Sequence, residues 1–388
     1  MPAQPPAPSR RRRLGLLLAV TLVGLLLLAL LRPPLQPGGT GERPQPIRRR
    51  DAVLPIEQVL SAAEQKKALA VTVGMHLENA YNLSIPDQTF MADGWFWLSW
   101  PQEVEDLMEA NKIEPDRMVE VVNNIVGYDF DVDPEYPEPQ LRADGSRHQI
   151  YRFSGFFYVD DINLRDSPFN LLSLPLILET RPLEFTLDGP TPVLLQPDPD
   201  RDGLVGGYAT IRGFQDIGVS LSQKIHRYAT NFGEQQPRRD YSQVVLRVFY
   251  RTPPFASFVQ WIMPLLIVML IVFLAPSLEG SLGDLRIAIP STALLTLVVM
   301  QQTYQAELPP LPYLTFLDRI YLVSYLISIA LFVLFLWASN LYAAAERSGA
   351  DEAGMVLVRQ RVKRADGWFQ GLAVGGFLLV AYLAWVVG

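Results

Sequence analysis

ELPPLPYLTFLDR, residues 307–319, lies between two strongly apolar stretches. Proline stands at 309, 310 and 312, and a Tyr, a Thr and an Asp follow as the next apolar run begins. Proline fixes φ and has no amide proton, so this segment breaks any helix and forms a stiff connection. Asp318 then falls in the first turn of a new helix, where the dipole favours a carboxylate. A proline that merely ends one helix and an Asp that merely caps the next would look the same, so the flanks decide.

Those flanks read as membrane spans. A span needs about 20 predominantly apolar residues. Phe258–Pro276, Ile287–Tyr304, Phe316–Leu341 and Trp368–Val387 qualify, as does an earlier run, Leu14–Leu31, behind Arg10–Arg13. The segment 343–367 carries Arg347, Arg359, Arg361, Lys363 and Arg364. Positive charge collects on the cytoplasmic side, which puts this segment and Arg10–Arg13 inside. Residues 51–255, the 307–315 connection and the C-terminus then lie outside, and the 276–285 connection inside. The first run reads as an anchor or a signal segment, over residues 1–32; no A-x-A-like cleavage site follows it in LALLRPPLQPGG. Residues 33–50, rich in Pro and Gly, read as a tether.

Composition excludes several functions. The 388 residues are 49% hydrophobic, with mean hydropathy +0.15, too apolar for one soluble domain. With no cysteine there is no disulfide framework and no thiolate chemistry. His76, His148 and His226 are far apart, and no HExxH, phosphate loop or GxSxG occurs. Nothing argues for an enzyme or a cofactor. Residues 51–255 carry 31 acids against 17 bases, which disfavours nucleic acid and suits cationic partners. Such acids also serve simply to solvate a surface.

Residues 51–255 break into short runs of β-branched and aromatic residues. ALAVTVGMHL, GWFWLSW, HQIYRFSGFFYV, SLPLILE, YATIRGF and SQVVLRVFY predict an antiparallel β-sandwich. PEPQLRADGSR contains an Asp-Gly turn signal. Helix is expected only near Ile56–Leu69 and Glu103–Asn111. Residues 256–388 then make a four-helix membrane bundle.

YVDDINLRDSPFNLLSLPLILE, residues 158–179, resembles the signature loop of pentameric ligand-gated ion channels, the Cys-loop receptor superfamily. The likeness is to the prokaryotic branch, which lacks the cysteines. Pro168 and Phe169 match the family pattern, Asn170 replaces its Asp, and Asp160 and Leu174 fall where the cysteines would be. Trp95 and Trp100, five apart, match the family's second strand. FYRTPPF resembles the strand entering the first membrane helix, with Arg251 at its basic position, and Pro264 matches that helix's proline. LPPLPYLTFLDR resembles the loop between the second and third membrane helices. The leading run 14–31 is not typical of the family. The resemblance implies a homopentamer in a bacterial inner membrane, with residues 51–255 extracytoplasmic. It also implies that Pro168, Phe169, Asn170, Arg251, Pro309, Pro312 and Asp318 carry force from the outer domain to the pore.

DLRIAIPSTALLTLVVMQQTYQAELP is the least apolar of the internal spans. As a helix it places Ala288, Thr292, Leu295, Val299, Gln302 and Ala306 on one face. Lipid offers no partner for Thr or Gln at depth. Five such faces would line a pore with apolar rings at Leu295 and Val299, which gate by dewetting. Ser and Thr also serve as packing residues between helices. Pro290 costs one backbone bond near the inner end. Asp284 near the inner mouth would favour cations, although the family's usual acid position holds Leu285. In the family, ligands bind between subunits in aromatic boxes that suit cationic amines. Trp95 matches one side; Tyr128, Phe130, Tyr228, Phe232 and Tyr241 are candidates for the other. Asp129, Asp131, Asp133, Glu135 and Glu138 form an acid-rich loop that suits Ca²⁺ or solvent. The expected partners are inorganic cations, membrane lipid and an unidentified small ligand or protons. The rival reading is an anchored β-sandwich sensor whose helices never conduct.

Overall fold

The computed structural model describes residues 51–387, apart from 126–129, 160–161, 190, 231–232 and 234–238. The expected anchor and tether, residues 1–50, lie outside the described residues.

Two sheets form the first part. One has the order β1 (Ala52–Leu54), β11 (Gln215–Arg227), β12 (Asp240–Arg251), β8 (Leu171–Thr180), β4 (Val119–Val121). The other runs β10 (Val205–Tyr208), β2 (Leu69–Ser84), β3 (Thr89–Trp100), β7 (Arg147–Tyr158), β5 (Asp131–Pro134). The short β6 (Gln140–Leu141) pairs with β7, and β9 (Val193–Pro197) with β2. In β3, Phe90, Ala92, Phe96, Leu98 and Trp100 are buried, while Met91, Asp93, Trp95, Trp97 and Ser99 alternate on the other face. This period of two sets the inner faces. Val73, Met75 and Phe96 of one sheet share a core with Leu174, Leu176, Val244 and Leu246 of the other. Buried Trp100 donates to Glu105 at 2.6 Å, in α2 (Gln102–Asn111).

Three expectations change in the β region. Of YATIRGF only Tyr208 lies in a strand, β10, because the Arg-Gly pair at 212–213 makes a turn. β9 and β10 run parallel to β2, so the pairing is not wholly antiparallel. Parallel neighbours need long crossovers, which local alternation does not reveal. The helix expected over 56–69 shrinks to α1 (Ala62–Gln65), capped by Ser61 and Glu64. The chain from Leu69 is already committed to β2.

Four helices follow that are long and apolar enough to cross a membrane: α3 (Pro254–Ser277), α4 (Gly283–Gln305), α5 (Phe316–Arg347) and α6 (Glu352–Val387). In α3, Phe258–Ile262 is π-helical, just ahead of Pro264. A proline removes an amide donor, and a local change of pitch re-pairs the backbone. The basic segment expected as a connection is almost entirely helix, with only a short turn at 348–351 around Gly349 (φ 65°). Its Met, Leu, Gln, Arg and Lys are strong helix formers.

Candidate functional site

The 306–315 connection joins α4 to α5, and its end is built with care. Thr315 Oγ1 accepts from the Asp318 amide at 3.1 Å. The Asp318 carboxylate accepts from the Thr315 amide and hydroxyl at 3.1 and 2.8 Å. This reciprocal cap satisfies two otherwise orphaned donors. Gln301 and Gln305 of α4 also donate to Asp318, at 3.3 and 3.4 Å, and Tyr304 donates to Thr315 at 3.0 Å. Asp318 is therefore buried as the link between two helices.

The 162–170 loop of the β region rests on this link. Phe316 N donates to Arg165 O at 2.7 Å, and Leu317 N to Ser167 O at 3.3 Å. The Arg165 guanidinium lies 5.2 Å from the Tyr313 ring. Phe169 packs on Phe316 and on Trp385 near the end of α6, with ring centroids 6.2 and 5.7 Å apart. Thr252 at the end of β12 donates to Asn170 O and Pro168 O, at 3.0 and 2.8 Å. Pro168, Phe169, Asn170 and Asp318 thus meet at one junction. Pro309 is half-buried in the connection and Pro312 is exposed beside Tyr313. Arg251 is exposed and bonds Gln215 at 3.4 Å, while the Oδ1 of buried Asn170 has no partner among the described residues. The β2–β3 turn joins them: Ile85 lines a cavity of about 370 Å³ with Phe214, Trp261, Tyr304 and Leu308. Sequence patterning did not single out Trp385 or Ile85, whose roles rest on long-range contacts.

The α4 helix is two-sided. Ala293, Leu297 and Tyr304 are buried. Ala288, Thr292, Leu295, Val299, Gln302 and Ala306 are all exposed in the single chain, with Leu295 at 67% and Val299 at 55%. Leu294 is half-buried. Ser291, Thr296 and Thr303 bond back to carbonyls four residues earlier. The helix runs unbroken through Pro290. Asp284 is exposed in the first turn.

The aromatic candidates separate onto different sheets. Tyr228 and Tyr241 meet edge to face at 5.5 Å, beside the five-stranded sheet. Tyr228 donates to Glu179 Oε1 at 2.8 Å. His226 and Gln243 bond Glu179 Oε2 at 2.8 and 2.6 Å. Burial and the Glu179 charge push the Tyr228 hydroxyl well above its ordinary pKa. Glu120, paired in register with Glu179, is also raised, first by burial and then by the Glu179 charge. Phe130 lines a cavity of about 500 Å³ with Glu120, Arg117 and Arg181. It packs edge-on against Phe157, and a side chain at Gly155 would clash with its ring. Trp95 stands in the other sheet, under Arg152, whose guanidinium lies 5.6 Å from its ring. Within one chain Trp95 and the two tyrosines do not form one box. Tyr128 and Phe232 lie outside the described residues. Glu179 stands at the end of the run SLPLILE, and Glu120 lies outside every run read as strand, so nothing local marked either. Among the described residues, no three His, Asp or Glu side chains converge as a metal site.

No protein-family model matches the chain, and comparison with curated proteins finds no match.

Proposed function

We propose that five copies of this chain form a ligand- or proton-gated, cation-conducting channel of the pentameric ligand-gated type, with the β region outside the membrane. The exposed face of α4 carries this reading. A membrane helix that presents Thr292 and Gln302 outward beside Leu295 and Val299 leaves polar groups without partners in lipid. Arranged around an axis, that face meets water. Leu295 and Val299 then form the constriction, and Asp284 the charge at the inner mouth.

The junction supports gating from above. The β region holds the α4–α5 link through backbone bonds at Arg165 and Ser167, so displacement of the sheets reaches α4. The split of Trp95 from Tyr228 and Tyr241 suits a ligand site shared by neighbouring copies. Glu179, beside the two tyrosines, adds a carboxylate that suits a cationic ligand. The test is current through purified protein in a planar bilayer, recorded across amines, amino acids and pH, with native mass spectrometry of the oligomer. Pentamers with gated cation current are expected. Assembled protein that never conducts would favour the anchored sensor, and monomers alone would remove the pore.

A further inference from the structure

Asp284 and Arg286 stand two residues apart at the start of α4, and their side chains meet opposite fates. Asp284 is exposed, whereas Arg286 is 1% exposed. Arg286 Nη2 donates to Asp366 Oδ1 at 2.6 Å, and the guanidinium carbon lies 4.1 Å from the Phe335 ring centroid. Asp366 is itself 5% exposed. Three helices, α4, α5 and α6, thus enclose one ion pair, and Arg286 Nε and Nη1 have no hydrogen-bond partner among the described residues.

Stability alone does not account for this arrangement. A buried pair with unmet donors is a poor substitute for apolar packing of the same volume. Ionisable groups inside a membrane bundle mark function. The electrostatic consequence is plain. Asp284 and Arg286 are the charged residues of α4, and Arg286 is withdrawn and neutralised. The accessible charge at this end of the helix is then the carboxylate of Asp284.

We infer that Asp366 is a positioning residue for charge selectivity: by holding and neutralising Arg286 inside the bundle, it keeps the inner end of the pore acidic. This rests on the channel reading above. Without Asp366, an unpaired guanidinium has reason to turn towards water, which would bring a ring of positive charge to the inner mouth.

The experiment measures reversal potentials under a potassium chloride gradient. Asp366→Asn should lower the cation-over-anion permeability ratio about tenfold, the scale on which a charged cleft concentrates counter-ions. Asp366→Glu should keep the wild-type ratio, and Arg286→Gln with Asp366→Asn should restore it. A conducting Asp366→Asn channel with the wild-type ratio would overturn the inference. Should that variant not assemble, Asp284→Asn decides, because it leaves the buried pair untouched. Loss of discrimination towards unity is expected. Inversion to anion selectivity would mean that Arg286 already faces the pore, and an unchanged ratio would remove the acidic ring; either result overturns the inference. A wild type that assembles and never conducts sinks both readings, whereas a conducting wild type with an unmoved Asp366→Asn sinks only this one.

Discussion

Each end of α4 is tied down by a buried aspartate, and the two are held differently. At the end that the proposed topology puts outside, Asp318 caps α5 and accepts from Thr315, Gln301 and Gln305, all neutral donors. At the inner end, Asp366 faces a cation two of whose donors have no partner among the described residues. The first carboxylate is stabilised by a helix N-terminus and a complete set of partners. The second is tolerated only because Arg286 is there. The bonds of the first end continue into the β region, the contact that the proposed gating needs. The second end encloses a charge.

Breaking the inner pair should have the largest effect. Asp366→Ala takes away the partner of Arg286, and should destabilise the protein by at most about 3–5 kcal/mol, the full amount only where the guanidinium stays buried rather than turning to water. Arg286→Met combined with Asp366→Leu should recover most of that loss. Thermal melts in detergent read both. Equal losses in the single and double variants would show that packing, not charge, matters there.

Between the two ends lies Leu295. Leu295→Thr should open spontaneously or respond to a weaker stimulus. About 0.5 kcal/mol per subunit would total roughly 2.5 kcal/mol in a pentamer, nearly a hundredfold in the closed–open equilibrium. Half-buried Leu294→Thr should disturb packing instead. A gain of function that followed Leu294 would reverse the assigned face.

At the outer end, Thr315→Ala removes one half of the cap and should cost about 1 kcal/mol. It should also weaken the response to any stimulus, whereas Thr315→Ser should restore both. Loss of stability with unchanged gating would reduce this end to a cap. Arg251→Ala, exposed and held at 3.4 Å to Gln215, should leave assembly intact and blunt the response. An unchanged dose–response curve would remove Arg251 from transmission.

The smallest effect concerns Glu120, remote from both ends. Its raised folded pKa means that the native state prefers the proton. Stability should therefore fall as pH rises from the ordinary 4.5 through the elevated value, and the penalty should be absent below 4.5. Glu120→Gln should flatten that slope in thermal melts. An identical slope would place the titration elsewhere.

Much of this was legible in the chain. Period-two runs marked β3, β7, β8 and β12 because alternation follows from backbone geometry alone. Apolar length marked α3 to α6, and the six residues picked by three- and four-residue steps along α4 are all exposed, as are others such as Ser291, Val298 and Thr303. The prolines at 309, 310 and 312 marked the connection because they act locally. Partners distant in sequence were not legible. Glu179 reads as a strand end until β11 and β12 bring His226, Tyr228 and Gln243 to it. Arg286 reads only as a charge near the start of a span until α6 supplies Asp366, 80 residues later. Local pattern determined which segments are strand, helix or stiff turn, since those preferences arise within a few bonds. Tertiary packing alone decided which charges stay in water and which are enclosed, because burial depends on every element that closes around a side chain.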